Sequence, residues 1–151
     1  MLKLPPVVIL EEDSDDLFIL RRRLEVCGVK NPVISFYDGD EAIAFFDDLA
    51  RNVSPETMPC TFLTELKAFG SDGFAVIASV RKHAVFDAMK IFVITGSEDP
   101  SHIRRATEAG ATGYYVKFPK IDEFCTLLSG SGCLLDGSPP VNQGPDPSCT
   151  R

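Results

Sequence analysis

The sequence lacks an apolar run long enough to span a bilayer, which takes about 20 residues as a helix. It also has few basic residues, because 15 Lys and Arg face 22 Asp and Glu and leave a formal net charge of -7. Binding to DNA or RNA needs clustered Lys and Arg that displace counterions, and an anionic membrane surface attracts the same residues. We therefore expect neither nucleic acid nor membrane as a partner.

The sequence also lacks a C-x-x-C pair and a small-residue cleavage site behind its N-terminal apolar run. Its five cysteines are an odd number, without the spacing of a zinc site. These absences predict reduced thiols and a cytoplasmic protein. The cysteines are Cys27, Cys60, Cys125, Cys133 and Cys149.

What the sequence does contain is a regular alternation of apolar runs with segments of helical periodicity. Buried strands are predicted at "PPVVIL", "NPVISFY", "CTFLTE", "MKIFVITG" and "GYYVK", and a helix is predicted after each of them. This pattern predicts one α/β domain over residues 1–129, with a doubly wound, five-stranded parallel sheet. Residues 130–151 are rich in Gly, Ser and Pro and are predicted to be a flexible tail, with Leu134 and Leu135 as the exception.

Polar side chains follow four of the predicted strands, where parallel sheets place their ligands. The first strand is followed by three acids, the third by Glu65, the fourth by Thr95 and the fifth by Lys117. Carboxylates that meet at one edge repel each other unless a cation lies between them. The sequence therefore predicts a site in which a divalent metal or the Lys117 ammonium neutralises several carboxylates.

These strand ends carry four motifs in a fixed order: "ILEED", "TELKAFGSDGF", "FVITGS" and "ATGYYVKFP". Over residues 5–128 the chain resembles the receiver domain of bacterial response regulators, the module that accepts a phosphoryl group from a histidine kinase. The resemblance implies a flavodoxin-like (βα)5 fold with strand order 2-1-3-4-5. It also implies a cytoplasmic signalling module of a bacterial two-component system, which is not an enzyme. The implied partners are a histidine kinase or an output protein, or a second copy in a homodimer.

The resemblance also assigns roles to individual residues. Glu65 occupies the phosphoacceptor position, and Glu11 and Glu12 match the acid pair that binds metal together with the backbone carbonyl of Lys67. A register with Glu12 and Asp13 as the acid pair is an alternative. Positions that contact the phosphoryl group or switch with it are Thr95, Lys117 and Tyr114.

The phosphoacceptor position is the main departure from the family pattern, because it holds glutamate where receivers have aspartate. An extra methylene moves the carboxylate outward, and misplacement of about 1 Å can cost on the order of 10²-fold in rate. We therefore predict that Glu65 is a poor phosphoacceptor. Its carboxylate can instead imitate a phosphoryl group towards Lys117 and Thr95. It then either holds the domain near an activated conformation or merely neutralises Lys117.

Three further departures concern the metal and the last helix. Glu12 is longer than the usual aspartate and crowds the site, so Mg²⁺ is expected to bind weakly at most. Phe118 replaces the usual proline after the lysine, so the loop that carries Lys117 is expected to be built differently, with a changed reach of Lys117 towards Glu65. The last helix is short, which weakens the face through which receivers often dimerise.

Two other functions remain as alternatives at this point. A conventional receiver would use another acid as phosphoacceptor, and Asp13 is the candidate. A magnesium-dependent phosphatase on a similar fold would need an aspartate nucleophile in a D-x-D pattern after the first strand. The segment "LEEDS" lacks that pattern, so we expect no phosphatase activity.

Overall fold

The computed structural model describes residues 4–133 and 135. Five strands alternate with five helices in this part of the chain. In order they are β1 Val7–Leu10, α1 Ser14–Val26, β2 Val33–Phe36, α2 Gly39–Ala50, β3 Thr61–Thr64, α3 Gly73–Arg81, β4 Lys90–Thr95, α4 Pro100–Ala109, β5 Gly113–Val116 and α5 Ile121–Ser129, with a short 3₁₀ turn at Ala84–Phe86 between α3 and β4.

All five strands are parallel and lie in the order β2-β1-β3-β4-β5. In the centre, β1 pairs Val7 with Val33 of β2 on one side and with Thr61 of β3 on the other. The predicted doubly wound α/β sheet with order 2-1-3-4-5 is confirmed. The topology brings the carboxyl ends of all five strands to one edge of the sheet.

Two apolar layers cover the two faces of the sheet, because successive strand residues point to opposite sides. Val8, Leu10 and Phe62 pack with α2, α3 and α4 on one face, where Phe46 contacts the rings of Phe62 and Phe86. On the other face, Val7, Ile9 and Leu63 pack against α1 and α5. α1 and α5 therefore lie side by side under the sheet.

Aspartate side chains begin four of the helices. Asp13, Asp38, Asp72 and Asp99 each accept a hydrogen bond from a backbone N–H of the first turn and satisfy a donor that has no helical partner. Asp99 precedes Pro100, which tolerates the first helical position because no N–H bond is needed there. The helices consequently start immediately beyond the carboxyl edge of the sheet.

The loops after β2 and β3 are joined by backbone hydrogen bonds. Gly39 N donates to Phe69 O at 2.7 Å, and Phe69 N donates to Tyr37 O at 3.3 Å. A Cβ atom on Gly39 would overlap the carbonyl oxygen of Ser71, so only glycine allows this approach. Gly70 has φ +69°, in the left-handed region that favours glycine. The two loops therefore form one continuous rim, on which Phe69 and Tyr37 are exposed.

The prediction that all cysteines are reduced is wrong, because Cys27 and Cys125 form a disulfide. Cys27 follows the last turn of α1 and Cys125 lies in α5, with their Cα atoms 5.2 Å apart. The pair is separated by 98 residues and becomes close only because α1 and α5 pack on the same face of the sheet. Among the described cysteines, Cys60 and Cys133 remain as thiols.

The segment after α5 packs on the domain as far as Leu135. Ser131 and Cys133 are buried, and Leu135 forms an antiparallel bridge with Val29. Leu134 and residues 136–151, most of the predicted tail, lie outside the described residues. Within the described residues, no helix is both long and apolar enough to cross a membrane.

Candidate functional site

Four strand ends place polar side chains at one edge of the sheet. Glu11 directly follows β1 and is completely buried, and Glu65 follows β3 and is 6 % exposed. Thr95 ends β4 at 3 % exposure, and Lys117 follows β5. Glu65 N donates to Leu10 O and Lys117 N donates to Thr95 O, so the backbone pairing of the sheet extends to Glu65 and Lys117. The sheet itself therefore holds the site together.

Lys117 lies at the centre of the site, between three carboxylates. Its ammonium nitrogen Nζ is 2.7 Å from Glu11 Oε1, 2.7 Å from Asp16 Oδ2 and 3.0 Å from Glu65 Oε1. We call Glu11, Asp16 and Glu65 the carboxylate cluster. The lysine side chain is only 11 % exposed, so solvent screens these contacts much less than contacts on an open surface. The ammonium supplies the cation that this cluster needs.

Both carboxylate oxygens of Glu65 have partners. Oε1 accepts the hydrogen bond from Lys117 Nζ, and Oε2 accepts one from the backbone N–H of Leu66 at 2.7 Å. The backbone around Glu65 is equally confined, because a Cβ atom on Gly73 would overlap the Glu65 carbonyl oxygen. The longer side chain thus turns back onto the chain next to it and does not extend beyond the strand.

Glu11 is the most deeply buried member of the cluster. Oε2 accepts a hydrogen bond from Asp13 N at 3.0 Å, while Oε1 faces Lys117 as an ion pair without a well-aligned hydrogen bond. Burial raises the pKa of the Glu11 carboxyl above its ordinary value, and the contacts with Lys117 and Asp13 only partly offset this effect. The Lys117 ammonium therefore stabilises the ionised form of Glu11.

The pKa of Lys117 responds to two opposing effects. Burial alone would lower it, but the hydrogen bonds to Asp16 and Glu65 and the ion pair with Glu11 outweigh burial and raise the pKa above its ordinary value. Lys117 is consequently protonated over the whole physiological pH range. It supplies a positive charge to the carboxylate cluster.

The acids predicted as metal ligands converge, but Lys117 lies against them. One carboxylate oxygen from each of Glu11, Glu12 and Glu65 fits within a span of 4.8 Å, which suits a divalent cation. Two of these residues already contact the Lys117 ammonium. A metal ion would therefore have to displace or repel the lysine. The residues fit a cation, and in this arrangement the lysine already provides one.

The other predicted ligands lie in different places. Asp13 is exposed and caps α1 through a 2.9 Å hydrogen bond from Asp16 N to Asp13 Oδ1, which turns its side chain towards the helix. Asp13 is therefore not part of the carboxylate cluster. Lys67 lies in the loop after β3, and its backbone carbonyl stays a predicted ligand.

Ser97 links Tyr114 and Thr95, two of the residues expected to contact or switch with a phosphoryl group. Tyr114 is half-buried, and its hydroxyl donates to Ser97 O at 2.9 Å. Thr95 Oγ1 accepts a long hydrogen bond from Ser97 N at 3.4 Å. Burial raises the pKa of Tyr114, aided by the charges of Glu65 and Asp99, although the hydrogen bond with Ser97 opposes this shift. Within the described residues, no hydrogen bond joins Glu65 to Thr95.

Arg23 of α1 contacts the loop that carries Lys117 from the side of the helix. Arg23 is 1 % exposed, donates a hydrogen bond to Pro119 O, and lies 5.4 Å from the Phe118 ring centroid and 5.7 Å from that of Phe124. The peptide bond between Lys117 and Phe118 is cis. Despite the altered Lys-Phe-Pro sequence, Lys117 reaches Glu65.

Two residues of this site, Asp16 and Arg23, are not among the predicted site residues. Asp16 lies one turn after the first strand's acids and therefore near the same edge. Arg23 follows Leu20 by three positions and precedes Cys27 by four, and this spacing places it on the buried stripe of α1.

No protein-family model matches the chain, and no curated protein matches it at a significant level. Solved structures do match. A response regulator receiver domain from Rhodospirillum rubrum has a TM-score of 0.68 at 21% identity, with 83% of this chain and 89% of that chain covered. The phosphorylated cyanobacterial phytochrome response regulator RcpA has a TM-score of 0.68 at 19% identity, covering 84% and 90%. The Mn²⁺-bound form of response regulator Rcp1 has a TM-score of 0.66 at 18% identity, covering 83% and 90%.

The strand order, the two helical layers and these neighbours define one class of fold. The chain has the flavodoxin-like (βα)5 fold of response regulator receiver domains. At these identities the likeness establishes the architecture, so the activity has to be argued from the site.

Proposed function

We propose that the chain is a receiver-type signalling module of a two-component system that is not phosphorylated in the usual way and acts through protein–protein contacts. The observation that carries the proposal is the state of Glu65. Both of its oxygens are bound, by Lys117 Nζ and by Leu66 N, and the residue is 6 % exposed. A phosphoacceptor must direct a free oxygen at an incoming phosphorus atom in line with the leaving group.

The charge distribution supports the same conclusion. In phosphoryl transfer, metal ions and a positively charged side chain neutralise the charge of the transferred group. Here the Lys117 ammonium is already bound to three carboxylates. A divalent cation, for which Mg²⁺ is the candidate, would meet this positive charge and bind weakly. The Rcp1 neighbour is a Mn²⁺-bound form, which supports a divalent cation as a candidate ligand of this fold.

Glu65 is proposed to imitate a phosphoryl group only in part. Its bond to Lys117 reproduces one expected contact of a phosphoryl group, but a carboxylate carries one charge where phosphate carries about -1.5 to -2. The missing bond to Thr95 favours the simpler role, in which Glu65 neutralises Lys117. The Tyr114 hydroxyl donates to Ser97 O, and this backbone contact is proposed to keep the switch residue in one position.

The proposed partners are proteins: a histidine kinase, an output protein, or a second copy of the chain. The net charge of -7 disfavours nucleic acid. We propose no enzymatic activity and a cytoplasmic location in a bacterium. The Cys27–Cys125 disulfide weighs against that location, because disulfides are rare in a reducing cytosol.

The decisive test treats the full chain with acetyl phosphate and Mg²⁺ and measures its intact mass. We expect no phosphoryl adduct on the natural chain, and stoichiometric acyl phosphate on Glu65 would refute the proposal. Glu65→Asp shortens the side chain and frees the Leu66 N–H, and an adduct in this variant would show that the rest of the site is competent. Glu65→Gln is the matched control, since it keeps the length but has no nucleophilic carboxylate.

A further inference from the structure

Two of the described cysteines outside the disulfide lie against each other at the edge of the sheet opposite the carboxylate cluster. Cys60 immediately precedes β3, and Cys133 follows the end of α5. Their sulfur atoms are 3.2 Å apart although the residues are 73 positions apart in the chain. This contact is shorter than the ordinary separation of two non-bonded sulfurs, and a disulfide needs about 2.05 Å.

Each cysteine is held in place by its own backbone environment. Cys60 N donates to Pro6 O at 2.9 Å, which extends the pairing of β3. On the other side, Ser131 Oγ donates to Leu127 O and Leu128 O at 3.0 and 2.9 Å and fixes the turn that carries Cys133. The two sulfurs are therefore positioned before any reaction occurs.

The surroundings favour thiol chemistry over metal binding. Across residues 4–133 and 135, Glu11, Glu12 and Glu65 form the group of at least three acids, histidines or cysteines able to hold a metal ion, and neither cysteine belongs to it. The contact between the two sulfurs lowers the pKa of Cys133, whereas the same contact and burial raise that of Cys60. Cys60 is half-buried and Cys133 is 8 % exposed, so small reagents have limited access from the Cys60 side.

We propose that Cys60 and Cys133 form a redox-active dithiol, which a low-molecular-weight disulfide converts into a second intramolecular disulfide. One cysteine thiolate attacks a sulfur of the reagent, forms a mixed disulfide and releases one thiolate. The other cysteine gives up its proton and attacks the protein-bound sulfur, which releases the second thiolate. In total, two protein thiols are oxidised to one disulfide, and the reagent disulfide is reduced to two thiols.

The second disulfide would attach the segment after α5 to the start of β3. This segment already touches the loop between α1 and β2 through the bridge between Leu135 and Val29. Oxidation would make its position covalent, and reduction would leave it held by the bridge and by packing alone. The site therefore controls how firmly the chain beyond α5 is anchored to the domain.

The test uses the full chain, first with its free thiols exposed to oxidised glutathione and then alkylated and digested without reductant. We expect a mass loss of two hydrogens, reversal by dithiothreitol, and a cross-linked peptide pair that contains Cys60 and Cys133. Cys149→Ser should behave like the natural chain, whereas Cys60→Ser and Cys133→Ser should lose the mass change. Recovery of a Cys60–Cys149 or Cys133–Cys149 pair, stable glutathione adducts without the cross-link, or unreacted thiols would each overturn the proposal.

A second readout needs no variant. The oxidised chain should show a higher Tm than the chain in which only this pair is reduced, because a cross-link restricts the unfolded state. It should also resist proteolysis after α5. An unchanged Tm and unchanged cleavage after complete cross-linking would contradict the anchoring role.

Discussion

Lys117 Nζ donates a hydrogen bond to Asp16 Oδ2 at 2.7 Å and thereby joins the end of β5 to the first turn of α1. The two residues are 101 positions apart. Because Lys117 also contacts Glu11 and Glu65, its charge is shared among three acids. The stability of this edge and its affinity for a cation therefore depend on how strongly the three acids bind Lys117.

Asp16→Asn should weaken the contact with Lys117, because it removes the negative charge and keeps a side chain of the same size. The Asp16 side chain is 29 % exposed, so solvent screening is expected to reduce the loss below the usual range for a charge-assisted bond, to about 1 kcal/mol in the free energy of unfolding. Urea denaturation measures it. Asp15→Asn is the matched control, because Asp15 is exposed on the same turn, and equal effects of the two variants would argue against the contact.

Lys117→Met should turn the carboxylate cluster into a better cation site. Removal of a positive charge next to Glu11 and Glu65 leaves their repulsion unopposed, and a divalent ion then relieves it. We expect Mn²⁺ to bind about tenfold more tightly or better, measured by electron paramagnetic resonance of free Mn²⁺. Lys120→Met, at an exposed position, should leave binding unchanged. Equal Mn²⁺ affinity of the natural chain and Lys117→Met would contradict competition between the ion and the lysine.

Tyr114 should titrate at a higher pH than an ordinary tyrosine, because burial raises its pKa. A raised pKa in the folded state means that its contribution to stability is complete below about pH 10 and is lost as the pH rises through the folded value. Ultraviolet titration should reveal a late phenolate component that disappears in Tyr114→Phe. Tyr37→Phe, at an exposed tyrosine, should keep this component, and its loss in Tyr37→Phe would contradict the assignment.

Arg23→Met should destabilise the loop that carries Lys117. The substitution keeps an unbranched apolar stem but leaves Pro119 O without its buried donor, which is expected to cost about 2 kcal/mol in the free energy of unfolding. Amide exchange around Lys117 and Phe118 should accelerate as well. Arg22→Met removes a surface pair with Glu25 and should stay within about 0.5 kcal/mol of the natural chain. Comparable losses in both variants would show that the buried contact adds nothing.

Much of the architecture could be predicted because it depends on local patterns. Continuous apolar runs such as Val7–Leu10 mark strands buried on both faces, and the capping residues Asp99 and Pro100 mark a helix start. The parallel topology then brings Glu11, Glu65 and Lys117 to one edge without knowledge of any distance. Strand order places these three residues on one edge, whereas the contacts of Lys117 with Glu11 and Glu65 also need its long side chain to pass β4.

The remaining features depend on packing between distant segments. The sequence could not reveal that Glu65 bonds Leu66 N in preference to Thr95, because that choice depends on the side-chain conformation in a crowded strand end. The pairing of Cys27 with Cys125 was missed for a related reason. α1 and α5 are the first and last helices in the sequence, and they become neighbours only because they pack on the same face of the sheet. Cysteine spacing does not reveal this contact.

The Cys27–Cys125 bond closes a covalent ring around most of the domain, with β2, β3, β4 and β5 inside it. One break in the backbone within that ring opens a loop but leaves the two pieces as a single molecule. A chain nicked between α2 and β3, for example, would still migrate as one species until a reductant is added. Proteolytic damage and loss of the folded unit are thereby separate events for this protein.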